Sequence, residues 1–186
     1  MSTTSDAARN TSLFPVCSPW DGDKGRGFTL TLGPRQEPTQ ELISHIDSAQ
    51  RTVQVMAFWW TWLPIAQALV RARARGIGVK VLLDARSTIH HVEGDEEAAS
   101  LLLKNSTANV MDYLAGHGVP VTIARPARDP SAIFHHKSLV VDGSIVCLGS
   151  SNWYALSLQT FDDSTVCFPG SHSARTRHCV CALFSP

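Results

Sequence analysis

From Phe28 onward, apolar and polar positions alternate between two periods, one of about two residues and one of about 3.6. Residues 28–32 predict a strand closed by Gly33, Pro34 and Pro38, and Leu42, Ile43, Ile46 and Ala49 then recur at helical spacing. Residues 53–60 form a nearly continuous apolar, β-favouring run, the pattern of a central strand covered on both faces. Ile65, Ala66, Leu69, Val70 and Ala74 return to the helical period, and Arg71, Arg73 and Arg75 make the end of that helix basic. Gly76 is placed to stop it.

Residues 77–84 predict a second buried strand, so that strand, helix and strand make a βαβ unit with parallel strands. Further on, residues 84–97 read as a polar loop, 101–114 as a helix and 119–124 as a strand. Residues 138–141 and 145–148 predict two strands hinged at Asp142-Gly143, and residues 165–168 a last one. The expected class is α/β, with a mixed, largely parallel central sheet and helices on both faces. The expected organisation is a flexible arm over 1–26, one domain over 27–168 and an irregular tail over 169–186, where the helical period is lost.

Composition narrows this picture. A chain of 186 residues, 44% of them hydrophobic, can bury one sizeable core but is short for two. Lys plus Arg and Asp plus Glu each number 16, so no global field draws polyanions, and binding of nucleic acid or anionic lipid must be local. Five cysteines without C-x-x-C spacing predict reduced thiols rather than a disulfide framework or a zinc ribbon. The first 19 residues lack the pattern of a signal peptide, and no window has the 18 apolar residues of a membrane span. A soluble, cytoplasmic protein is expected.

The candidate chemistry lies in His135-His136-Lys137-Ser138-Leu139-Val140-Val141-Asp142, an H-x-K-x4-D segment, followed by Gly149-Ser150-Ser151-Asn152. On an extended strand His135 and Lys137 face one side and His136 the other. Neutral imidazole is a competent nucleophile toward phosphorus, and an ammonium can hold the non-bridging oxygens as charge develops on them. Ser150 and Asn152, again two apart, are candidate hydrogen-bond donors to the same oxygens. Such a cradle needs no metal, and no cofactor is expected.

The stretch from His135 to Trp153 resembles the signature of the phospholipase D superfamily, and the order of elements over residues 41–84 is similar to the N-terminal part of that family's domain. The resemblance implies a phospholipase D-like fold and a two-step reaction, in which one histidine attacks phosphorus while a second protonates the leaving alcohol. Each such site needs two H-x-K motifs and this chain has one, so a symmetric homodimer is expected to supply the other. The resemblance also implies an acidic residue that orients the histidine. Its place falls on Asp163, where glutamate is more usual, with Phe161 at a position the family keeps polar. Asp142 takes the place of a structural partner near the turn. The expected catalytic set is thus His135, Lys137, Asp142 and Asp163, with Lys137, Ser150 and Asn152 on the phosphate.

Phe58, Trp59, Trp60 and Trp62 end a buried strand and are either core or a wall for a base or an acyl chain. His90, His91, Glu93 and Asp95 imitate a metal cluster but read as a solvated loop, and no metal is assigned. The expected activity is that of a metal-independent phosphodiesterase. Phospholipid headgroup hydrolysis stands first and nucleic-acid cleavage second. A third alternative is an inactive phosphate-binding scaffold, suggested by the atypical C-terminus.

Overall fold

Val53, Val55 and Ala57 lie on one side of β2 (Thr52–Ala57) and Met56 on the other, and all four are buried. A strand covered on both faces belongs inside a sheet. A computed structural model of the chain, which describes residues 28–33, 38–88, 107–125 and 132–169, places it there.

The chain leaves β2 into α2 (Leu63–Ala74), with Pro64 in the first turn, where its missing N–H costs no helical bond. Gly76 ends the helix at a φ of 86°, a conformation open to glycine, and β3 (Gly78–Asp84) runs back parallel to β2 with Thr52 opposite Gly78. After α3 (Thr107–Gly116), β4 (Val121–Ala124) adds in parallel to β3. α2 packs on α1 (Pro38–Ser48), and Arg71 of α2 donates to Asp47 of α1 at 2.8 Å. That bond raises the arginine pKa.

The second half of the sheet reverses direction. β5 (Lys137–Val141) lies antiparallel to β2, with Ala57 opposite Lys137 and Val53 opposite Val141. β6 (Ile145–Gly149), β7 (Ser164–Pro169) and β1 (Thr29–Leu32) follow, each antiparallel to its neighbour, in the order β1-β7-β6-β5-β2-β3-β4. The sheet is mixed as expected, but among the described residues four of its six pairings are antiparallel, where a largely parallel sheet was predicted. The turn Asp142-Gly143-Ser144 between β5 and β6 is too short for any crossover, so only antiparallel pairing is open to it. Parallel order is confined to the βαβ side.

Leu42 and Ile46 of α1, Ile65, Leu69 and Ala72 of α2, and Val110 and Leu114 of α3 form one core with Val53, Val55, Val81, Leu139 and Val141. Leu158 of the short helix α4 (Ala155–Gln159) joins it; five residues are too few to show a period, and the sequence reading missed this helix. On the opposite face Met56, Leu82, Val140 and Val146 pack with Phe134 and Phe168. Helices were expected on both faces; among the described residues they contribute only to the first.

Cys147 and Cys167 stand directly opposite across β6 and β7 and are joined by a disulfide, which corrects the expectation of reduced thiols. They are 20 residues apart, and only the strand register brings them together. The arm over 1–26, residues 89–97 of the predicted loop with His90, His91, Glu93 and Asp95, residues 101–106 of the predicted helix, and 170–186 of the tail lie outside the described residues.

Candidate active site

β5, the fourth of the seven strands that the described residues form, opens on Lys137, and His135 lies two residues before it. Its approach is fixed by Asp84, the fully buried last residue of β3. One carboxylate oxygen of Asp84 accepts the backbone N–H of Phe134 at 2.5 Å, and the other accepts those of Arg86 and Ser87 at 2.8 and 3.1 Å. The sequence reading missed this role, although an acid ending an apolar strand was its available signal.

Side-chain alternation is as the extended pattern requires. His135 and Lys137 share one side, while the ring of His136 lies tilted against Phe134, their centroids 4.3 Å apart. The Nζ of Lys137 lies 2.8 Å from Nε2 of His135 and donates also to the His135 carbonyl at 3.3 Å. Phe58, at the end of β2, meets the His135 ring edge-on at 4.7 Å, and its ring centroid is 5.5 Å from the Lys137 ammonium. Burial, and then the Lys137 charge, push the His135 pKa below the usual imidazole value, against an opposing pull from Asp84. Burial likewise pushes Lys137 below the usual lysine value, with Asp163 pulling the other way.

Asp163 sits on the approach to β7. It accepts the hydroxyl of Ser150 at 2.8 Å and that of Ser157 in α4 at 2.6 Å. Ser150 in turn accepts the N–H of Ser164 at 3.0 Å. The Ser150 proton, expected on a phosphate, is therefore directed to Asp163, and the carboxylate, expected behind His135, is held by two serines. Ser157, unmarked by any motif, is the second of them. Asn152 keeps a buried Oδ1 without a hydrogen-bond partner. Gly149 has a separate reason to be glycine: a Cβ there would run into the carbonyl of Ser164 and the side chain of Thr165, so β6 and β7 could not close at this point.

Asp142 lies at the other end of β5, five residues or roughly 16 Å of strand away from Lys137. Its carboxylate accepts the N–H groups of Gln50, Arg51 and Thr52 at 2.9, 2.7 and 2.8 Å. Burial raises its pKa, but these three bonds outweigh that and hold it below the usual carboxylate value. They also fix a residue that adopts a φ of 54° in the β5–β6 turn. Asp142 secures the start of β2, and this geometry separates it from the His135 site.

Beyond Phe58 the aromatic residues continue outward. Trp59, 44% exposed, lies 6.1 Å from Tyr154, whose ring is 6.2 Å from that of Phe161, itself 45% exposed. Trp60 instead is fully buried against Trp153 at 4.9 Å. The wall expected from the Trp-rich strand end thus divides into core and surface.

A His-x-Lys sequence leading into the middle strand of a mixed sheet, with a serine-held carboxylate on the approach to β7, is the arrangement of a phospholipase D-type α/β fold. The chain belongs to the phospholipase D superfamily: residues 42–176 match the family described as cardiolipin synthase, PLD-like domain. It is 27% identical over 118 residues to the mitochondrial cardiolipin hydrolase of Xenopus tropicalis, a match covering 60% of this chain and 44% of that protein. It is thus similar to about half the length of that relative. Its fold is similar to that of NUC, a phospholipase D family member from Salmonella typhimurium. The TM-score is 0.65 at 23% identity, covering 84% of this chain and 95% of that one. NucT from Helicobacter pylori is similar at a TM-score of 0.66 and 20% identity, covering 86% and 93%.

Proposed function

We propose that the chain is a metal-independent phosphodiesterase in which His135 attacks phosphorus and forms a phosphohistidine. The observation that carries this reading is the His135–Lys137 contact of 2.8 Å, with both pKa values lowered. Lowering keeps the imidazole neutral and nucleophilic at neutral pH. Lys137 supplies the positive charge for the non-bridging oxygens, a task that elsewhere falls to a metal. Attack forms the N–P bond as the P–O bond to the leaving alcohol breaks, and a second imidazolium gives that oxygen its proton. Water, losing a proton to the same second histidine, then releases the phosphate and restores His135.

The second histidine is that of a partner copy related by a two-fold axis, because the chain contains one H-x-K motif. The favoured substrate is a phospholipid headgroup. The exposed Trp59 and Phe161 beside the site supply apolar surface of the kind an acyl chain contacts, and the curated relative is named a cardiolipin hydrolase. The second reading, nucleic-acid cleavage, is favoured by the likeness in fold to NUC.

The purified chain and its His135→Ala variant are to be assayed on bis(p-nitrophenyl) phosphate with and without chelator, then on phospholipid vesicles and on DNA. The reading requires chelator-resistant turnover, lost in His135→Ala, with headgroup release from lipid. Chelator-sensitive turnover would overturn the mechanism. Salt-sensitive DNA cleavage without headgroup release would move the substrate to nucleic acid. Full activity of a sedimenting monomer would overturn the shared site.

A further inference from the structure

On the helix-covered face of the sheet, Cys147 lies opposite both Leu139 and Cys167, and His45 of α1 reaches down onto this pair. One ligand atom from each of His45, Cys147 and Cys167 lies within 4.8 Å of the others, the one cluster of this kind among the described residues. Both cysteines are buried to within 3%. The Nε2 of His45 is shielded from solvent and has no hydrogen-bond partner, and the same is true of Oε2 of Glu41, one helical turn earlier. The other Glu41 oxygen is 3.8 Å from that Nε2. Buried polar atoms left unpaired beside two sulfurs call for a group that binds them together.

We propose that, when reduced, Cys147 and Cys167 join a ring nitrogen of His45 to bind a zinc ion whose fourth position faces Glu41. The disulfide is the oxidised form of the same pair. Two thiolates and an imidazole are the donor set that tetrahedral zinc favours, and such ligands stand about 3.5–3.8 Å apart around it. The cluster needs to contract by about 1.3 Å at most toward His45, while the sulfurs separate. Reduction requires a dithiol: its two thiols pass two electrons and two protons to the disulfide and become a disulfide themselves. Zinc then displaces one proton from each cysteine. A disulfide or peroxide oxidant reverses the sequence, taking two electrons from the thiolates and expelling the ion.

The site differs in place and task from the phosphodiesterase centre. It ties α1 to β6 and β7, the strands that carry Gly149 and lead from Asp163 and Ser164. Zinc there would be structural, and its loss on oxidation would leave the strands joined by the disulfide but free α1 from them.

The test is anaerobic titration of Co2+ into the dithiol-reduced full chain in which Cys17, Cys179 and Cys181 are serine. One equivalent should bind, with a thiolate-to-cobalt charge-transfer band and tetrahedral d–d bands, and one equivalent of Zn2+ should displace it. Glu41→Gln should weaken zinc binding about 10–100-fold, as a group beside the ligand shell does, and His45→Gln should weaken it more. Zinc should protect both cysteines from iodoacetamide in the parent and fail to do so in His45→Gln, whose thiols are intact, so the test does not depend on a cysteine variant folding. Diamide should release the ion with loss of two thiols. Absence of the charge-transfer band, or equal protection in His45→Gln, would overturn the site.

Discussion

Nζ of Lys137 lies 2.8 Å from Nε2 of His135, the nitrogen proposed as the nucleophile. An ammonium has no lone pair to accept with, so a protonated Lys137 requires Nε2 to be the acceptor and the single ring proton of neutral His135 to sit on Nδ1. In the proposed mechanism the same contact opens before attack. An arriving phosphate oxygen is a stronger acceptor for an ammonium than imidazole is, and draws Lys137 off the lone pair as it takes up its own position. Lys137→Met should therefore lower kcat by about 10²–10³-fold, the usual loss when one stabiliser of developing oxygen charge is removed. Single-turnover measurement of phosphoenzyme formation distinguishes this from a binding defect, which would raise KM and leave kcat unchanged.

Both lowered pKa values shift the pH profile in one direction. His135 stays neutral to lower pH than free imidazole, so the acid limb of kcat/KM should fall below 6.5. Lys137 loses its proton at lower pH than a free lysine, so the alkaline limb should fall below 10.5. Lys137→Arg should raise the alkaline limb, since guanidinium keeps its proton. An unchanged alkaline limb in that variant would assign it to another group.

Asp84 acts on the site through the backbone of Phe134. Asp84→Asn puts an amide N–H2 against one of the three N–H groups that the carboxylate now accepts. Misplacing His135 on this scale should cost up to about 10²-fold in kcat. The Asp84 charge raises the His135 pKa, so its removal should also shift the acid limb to still lower pH. A merely structural role for Asp84 would lower activity without moving that limb.

Asp142 makes a contrasting prediction, on stability. Its folded pKa is depressed, so its contribution is present above the unfolded aspartate value and is lost as pH falls through the folded one. Asp142→Asn, which still tolerates positive φ, should cost about 1.5–3 kcal/mol at neutral pH in urea melts. The gap to the parent should close in acid, and kcat of the folded fraction should be unchanged.

Gly149→Ala should destabilise by about 1–3 kcal/mol, because the Cβ meets backbone that cannot give way without parting β6 from β7. Thermal melts read this directly. Any accompanying loss of activity should be matched by Ser150→Ala, which releases the same Asp163.

The elements legible in the sequence are those with a long enough pattern. β2, α2 and β3 emerge from residues 53–84 because both faces of two strands and one face of a helix are buried there. Beyond the short turn that makes β5 and β6 antiparallel, the direction of the later strands was not legible, since a period of two carries no sense of parallel or antiparallel. His135 and Lys137 came from their spacing. The committed hydroxyl of Ser150, the partners of Asp163 and the hold of Asp84 on Phe134 did not, because each depends on a contact across 6 to 50 residues of chain that no motif marks. Cys147 and Cys167 make the same point: opposition across two strands is a fact of register, invisible to residue counting.

Among the described residues β5 has three strands on either side of it. Fraying begins at the rims of a sheet and reaches the middle last. The pair proposed to handle phosphate therefore stands at the head of a central strand, which should surrender its order only when the whole molecule does. Heat inactivation of this protein should coincide with global melting rather than precede it, and the activity assay can serve as a thermometer for the fold.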